Sequence, residues 1–151
     1  MFRSVTSYTL IYWFVYLMMP LNVHSQLFNK PLNQTDEKGH RVGKWISYWD
    51  EGNNIVMSMA IYKDGRETGV SKEYHMNGKL RLKFRYQKNR IRVKYYDESR
   101  RLEQKGWAVM KFEEKDLHYY WHGKWKFYDS NRKLNRLSLY EFGEEIGTVN
   151  P

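Results

Sequence analysis

Four six-residue blocks of this chain align without gaps, and each ends in tyrosine. They are Gly43-Lys44-Trp45-Ile46-Ser47-Tyr48, Gly69-Val70-Ser71-Lys72-Glu73-Tyr74, Ile91-Arg92-Val93-Lys94-Tyr95-Tyr96 and Gly123-Lys124-Trp125-Lys126-Phe127-Tyr128. Self-similarity at this period means stacked units, none of which can bury its apolar surface without a neighbour. Turn chemistry follows every block: Asp50-Glu51-Gly52-Asn53, Met76-Asn77-Gly78-Lys79, Asp97-Glu98-Ser99-Arg100 and Asp129-Ser130-Asn131-Arg132. Asn77-Gly78 predicts a two-residue type I′ turn, which needs positive φ at both central residues.

A second strand-like run follows each turn. Leu80-Arg81-Leu82-Lys83-Phe84-Arg85-Tyr86 alternates apolar and basic residues, the period of a half-buried strand. On that period Lys79, Arg81, Lys83 and Arg85 share one face. Ile55, Met57, Met59 and Ile61 alternate likewise, and Leu134 to Phe142 forms a fourth, less regular run. The third return run, Leu102 to Glu114, carries Gly106, read as a bulge or bend. Lys63-Asp64-Gly65-Arg66 and Gln87-Lys88-Asn89-Arg90 link the units as further turns. The prediction is all-β: about eight strands in four hairpins, joined as one single-layer meandering antiparallel sheet. The units span about 43–68, 69–90, 91–122 and 123–147, with a polar leader at 26–42 and a tail at 148–151. Lys44–Trp49 and Leu134–Phe142 are then the edge strands, open to self-association unless leader or tail covers them.

The N-terminus follows another logic. Arg3 is the only charge before His24, and Leu10 to Met19 is uninterrupted apolar sequence. Pro20 and then Val23-His24-Ser25 complete the pattern of a secretory signal over 1–25, cut before Gln26. An uncleaved membrane anchor is the alternative reading. Export would place the mature chain in the periplasm, on the cell surface or in the medium. The remaining composition narrows the function. A chain of 151 residues with no cysteine holds no disulfide, thiolate metal site or cysteine nucleophile. Its net charge is +9, and its 17% aromatic content is too high for a disordered chain.

The repeated unit — Gly-x-Trp-x-x-Tyr, acidic or Asn-Gly turn, alternating strand, Tyr-x-Asp-Gly link — resembles the MORN repeat in its bacterial variant form. Asp36 to Trp45 looks like the opening before a first unit, Tyr62 to Gly69 like a link, and Tyr74 to Leu80 like a unit's hairpin. The resemblance covers Asp36 to Gly147 and weakens in the third unit, where Ile91 replaces the opening glycine and Ser99-Arg100 replaces Asn-Gly. It implies a single-layer sheet of repeated hairpins and no enzyme. Some relatives are labelled antitoxins of toxin–antitoxin systems (the YwqK type), and others are interaction or membrane-associated scaffolds.

No residue cluster builds a reaction centre. His118 and His122 would share a strand face, but they would lie about 13 Å apart at a 3.3 Å rise. One zinc with bonds of about 2 Å cannot bridge that gap. Glu113-Glu114 and Glu144-Glu145 read as solubilising charge, and the chain lacks a phosphate loop or nucleophile elbow. No cofactor is implied. Trp45, Trp49, Trp107, Trp121 and Trp125 supply the buried area that a thin sheet needs.

The most distinctive charge feature is an acid-free run holding Lys79, Arg81, Lys83, Arg85, Lys88, Arg90, Arg92 and Lys94. Such a stripe can bind anions: lipid headgroups, an acidic polysaccharide of the envelope, or an acidic protein. Nucleic acid fits the charge but not the export signal. The sequence therefore points to an exported, non-catalytic repeat module that binds a protein or an anionic surface. An antitoxin-like partner, or an enzyme with a site assembled across repeats, is the alternative.

Overall fold

The computed structural model describes residues 31–113 and 116–151. The signal segment 1–25, its cut before Gln26, and Glu114 lie outside the described residues. Ten strands follow in chain order: β1 (Gln34–Thr35), β2 (Arg41–Tyr48), β3 (Val56–Lys63), β4 (Arg66–Tyr74), β5 (Leu80–Gln87), β6 (Arg90–Tyr96), β7 (Leu102–Glu113), β8 (Asp116–Tyr128), β9 (Leu134–Glu141) and β10 (Glu144–Val149). Each pairs antiparallel with its chain neighbour in one open sheet, so the fold is an all-β meander of hairpins.

Ten strands stand where about eight were expected because a short strand is added at each predicted edge. The leader supplies β1, which pairs Gln34 with Val42 and Thr35 with Arg41. Beyond β1, the Asn33 side chain imitates a strand: its Oδ1 accepts from Ile46 N at 2.7 Å and its Nδ2 donates to Ile46 O at 3.1 Å. At the other end β10 pairs along β9, from Glu144↔Glu141 to Val149↔Leu137. Lys44–Ile46 and Leu137–Glu141 are therefore covered, within the expected edges Lys44–Trp49 and Leu134–Phe142. Backbone groups that would stand unpaired have found partners within the chain.

The turns differ from the type I′ prediction. In the Asn77-Gly78 hairpin, Gly78 N donates to His75 O and His75 N to Lys79 O, and only Gly78 is left-handed, at φ 74°. That is a three-residue loop: a type I turn followed by one left-handed residue. Asp97 and Asp129 open identical loops, with Arg100 and Arg132 in the left-handed place. The true two-residue primed turns are the links Asp64-Gly65 and Phe142-Gly143, left-handed at both positions. Aspartates organise the longer loops. Asp97 Oδ1 accepts from Ser99 N and Arg101 N at 2.8 Å each, Asp129 and Asp36 repeat the arrangement, and Asp50 accepts instead from Asn54 N and Ile55 N across its longer loop.

These bonds carry a pH dependence. The backbone amides of His40, Ile55 and Arg101 are the largest cause holding Asp36, Asp50 and Asp97 respectively below the ordinary carboxyl value of 3.8. A carboxylate with a lowered folded pKa stabilises fully above its unfolded value and loses that contribution as pH falls through the folded one. Thermal melts should therefore fall as pH drops below about 4, and Asp97→Ala should lessen that fall. An unchanged slope would mean these turns do not govern acid stability.

Two kinds of slip punctuate the ladder. One extra residue stands before each closing tyrosine: Met57 opposite Tyr48, Arg81 opposite Tyr74, Glu103 opposite Tyr96 and Asn135 opposite Tyr128. A larger slip follows each opening glycine that has a strand before it. Between Ile61↔Thr68 and Met59↔Lys72, Ala60 stands against Gly69, Val70 and Ser71. Between Trp107↔His122 and Lys105↔Lys126, Gly106 stands against Gly123, Lys124 and Trp125. Gly69 and Gly123 are left-handed, at φ 67° and 73°, a backbone that disfavours a Cβ. Ile91 occupies the same place in the third unit, and there the ladder runs without a slip. The bulge expected at Gly106 thus lies on the strand opposite it.

The sheet buries one face. Leu82, Ile91, Val93, Ala108 and Trp125 form the core, with Phe84, Tyr86, Tyr95, Trp121, Phe127 and Tyr140 packed against it. Trp121 and Trp125 stack at 3.7 Å. Phe84 of β5 meets Tyr119 of β8 edge to face at 5.7 Å, although the two strands are three spacings, about 14 Å, apart in a flat sheet. The sheet therefore rolls around its aromatic face, leaving the other face outermost.

Candidate anion-binding face

Directly opposed residues of paired strands point to the same face. Following the register outward from Lys83 gives Lys72↔Lys83, Lys83↔Lys94, Lys94↔Lys105 and Lys105↔Lys126. Five lysines thus form one row across β4, β5, β6, β7 and β8. A second row lies beside it: Val70↔Arg85, Arg85↔Arg92, Arg92↔Trp107 and Trp107↔His122. Neither row contains an acid. None of the five lysines forms a salt bridge among the described residues.

Long side chains wall two adjoining depressions here. One, of about 280 Å³, is lined by Lys83, Arg85, Gln87, Arg92 and Lys94. The other, of about 160 Å³, is lined by Arg92, Lys105, Gly106, Trp107, Lys124 and Lys126. Arg92 stands between them. Lys94 has its pKa lowered, chiefly by burial and then by the positive charges of Arg92, Lys105, Lys83 and Arg85. Its protonated form is disfavoured on folding, so its charge costs stability at low pH. That cost is relieved as pH rises through the lowered folded value toward 10.5.

The predicted stripe is only partly brought together. Lys83, Arg85, Arg92 and Lys94 are at its centre. Arg90 lies over the Trp107 ring at 4.0 Å, with Arg92 at 5.2 Å. Arg81 is lost to the face: as the extra residue opposite Tyr74, it turns away and pairs with Glu73. The alternation that put it beside Lys83 fails at that bulge. Lys79 closes the His75 loop and Lys88 sits in the turn between β5 and β6, at opposite ends of the strand. Lys72, Lys105 and Lys126 were missed because they are distant in the chain. Two signals could have found them. Lys72, Lys94 and Lys126 all hold the fourth position of their blocks, and 72, 83, 94 and 105 recur every eleven residues.

The opposite face holds a cleft of about 460 Å³ between β2 and β5, whose lining includes Glu67, Glu73, Trp45, Tyr62 and Tyr86. Both acids are engaged. Glu73 pairs with Arg81, and Glu67 accepts from Tyr62 Oη at 2.9 Å, Ser71 Oγ at 2.7 Å and Tyr86 Oη at 2.6 Å. Burial first, then the Glu67 carboxylate, pushes the Tyr86 phenol well above its ordinary value. The histidine pair is spread among rings: His118 stacks on Tyr120, and His122 lies 5.3 Å from Phe142 with its Nδ1 buried and unpartnered. Among the described residues no three potential metal ligands converge. No helix among them is long and apolar enough to cross a membrane.

Compared with known families, characterised proteins and solved structures, the chain matches none. Its likeness to MORN repeats rests on the repeat residues alone.

Proposed function

We propose that this protein is a non-catalytic, exported binding module that docks an anionic partner on the outer face of its sheet. One observation carries the reading: five lysines in register, beside Arg85 and Arg92, in two rows without an acid. Like charges directly opposite each other destabilise a sheet. A chain that places lysine opposite lysine four times in succession accepts that repulsion for a reason outside folding, and an anion would relieve it. The engaged acids of the opposite cleft support binding rather than catalysis. The MORN likeness and the N-terminal signal pattern agree with a module of this kind outside the cytoplasm.

The test compares two variants of equal net charge on a dextran-sulfate column. The face variant carries Lys83→Gln, Lys94→Gln, Lys105→Gln and Lys126→Gln; the control carries Gln at Lys38, Lys44, Lys63 and Lys133. At about 0.1 M salt, where screening reaches about 10 Å, the face variant should bind at least tenfold more weakly than the control. Wild-type binding should fade toward 1 M, where screening shortens to about 3 Å. Equal retention of the two variants would show that net charge, not this face, does the binding. Ligand should also raise the Lys94 pKa back toward 10.5, followed by NMR of the lysine side chains.

A further inference from the structure

We infer that the partner is an unbranched acidic polysaccharide, carrying about one carboxylate per sugar, that lies across the strands along the lysine row. The inference rests on the anion-binding reading and narrows it to one ligand class.

The spacing comes first. Adjacent strands are about 4.8 Å apart at the backbone, so the row anchors one lysine per strand over about 19 Å. The flexible stems set the charges at that spacing or somewhat wider on the outer side of the rolled sheet. Lysine is a compact point charge on a flexible stem, suited to meeting single anionic groups in sequence. One point cation per strand at close to the length of a pyranose unit matches a polymer with a single carboxylate on each ring.

Depth is the second observation. Lys72, Lys83, Lys94 and Lys105 are half-buried, while Arg85 and Arg92 beside them are exposed. These four lysines are recessed between the arginines and a row of closing tyrosines, Tyr74, Tyr96 and Tyr128, which stand on the same face, and the row opens to solvent at its exposed end, Lys126. Tyr74 Oη reaches Met59, which is opposite Lys72, and Lys105 Nζ lies 5.0 Å from the Tyr128 ring. A slender chain can lie in that recess, with sugar C–H groups against the phenol rings. A flat bilayer would meet Arg85, Arg92 and Lys126 first and leave the four recessed lysines unpaired.

The tryptophan is the third. Single-stranded nucleic acid binds by stacking bases on open aromatic faces. Trp107 is the tryptophan of this face, and Arg90 lies 4.0 Å from its ring centre. The guanidinium covers this platform, and the rings left on the face are the recessed tyrosines, which suit the edge of a sugar better than a fully stacked base.

The experiment measures binding of wild type and of the face variant to labelled oligogalacturonates of increasing length, with phosphatidylglycerol vesicles and oligo-dT at the same salt. Wild-type affinity should climb with length until the oligomer can engage all five lysines, and should then flatten. The face variant should bind the longest oligomer at least tenfold more weakly. Tighter binding of vesicles or oligo-dT than of oligogalacturonate, or no length threshold, would overturn the polysaccharide assignment while leaving the anion-binding face intact. No difference between wild type and variant for any of the three probes would overturn both. Circular dichroism of each variant checks that the sheet is retained.

Discussion

Trp125→Ala should cost about 3–5 kcal/mol, the range for removing a large aromatic side chain from a core. Trp125 is fully buried, stacks on Trp121, and donates its indole N–H to Trp107 O at 2.8 Å. Against a total stability of about 5–15 kcal/mol, that loss takes the protein close to unfolding. The partner of this ring is Gly106: a Cβ there would stand 2.3 Å from the indole, and the ring has no exposed side to move toward. Gly106→Ala should therefore cost about 1–3 kcal/mol or more by overpacking. The decisive result is the combination. With the indole gone, the added methyl meets empty space, so Gly106→Ala/Trp125→Ala should be less destabilised than the sum of the single changes. Urea denaturation of the four proteins supplies the cycle. Strict additivity would mean that the two residues do not share this space.

Glu67→Ala should be the next largest loss. It removes the shared acceptor of Tyr62, Ser71 and Tyr86 in one step. A buried donor without a partner costs about 1–3 kcal/mol, and Ser71 is the best buried of the three. Glu67→Gln keeps an acceptor oxygen and should recover a large part of the loss. If alanine and glutamine are equally harmless in thermal melts, the cluster contributes nothing to stability. A fall in stability leaves the lysine face on the far side untouched, so polyanion binding by folded Glu67→Ala should be unchanged.

The repeat was legible because each block is a local statement: a glycine that permits a left-handed backbone, alternating side chains, and a tyrosine before a turn. Strand identity, antiparallel order and the positions of turns follow from such near-neighbour chemistry. Type of turn did not, because Asn77-Gly78 suits either loop length and the closing pair His75–Lys79 decides between them. The covering strands β1 and β10 were illegible for a different reason. Gln34-Thr35 and Glu144–Val149 carry little apolar pattern; they are strands because unpaired backbone on β2 and β9 recruits them.

The functional face divides along the same line. Sequence alone determined that basic residues alternate with apolar ones around Lys83, since a strand's period of two is a property of the chain itself. Only the tertiary register decided which of them act together. One extra residue opposite Tyr74 removed Arg81 from the face, and three residues opposite Gly106 brought Lys126 level with Lys105. A slip of one position exchanges faces, so a row that crosses five strands depends on every bulge between them. The physical reason is that register is set by backbone hydrogen bonds between distant segments, and the size of Trp125 and the absence of a side chain at Gly106 fix it there.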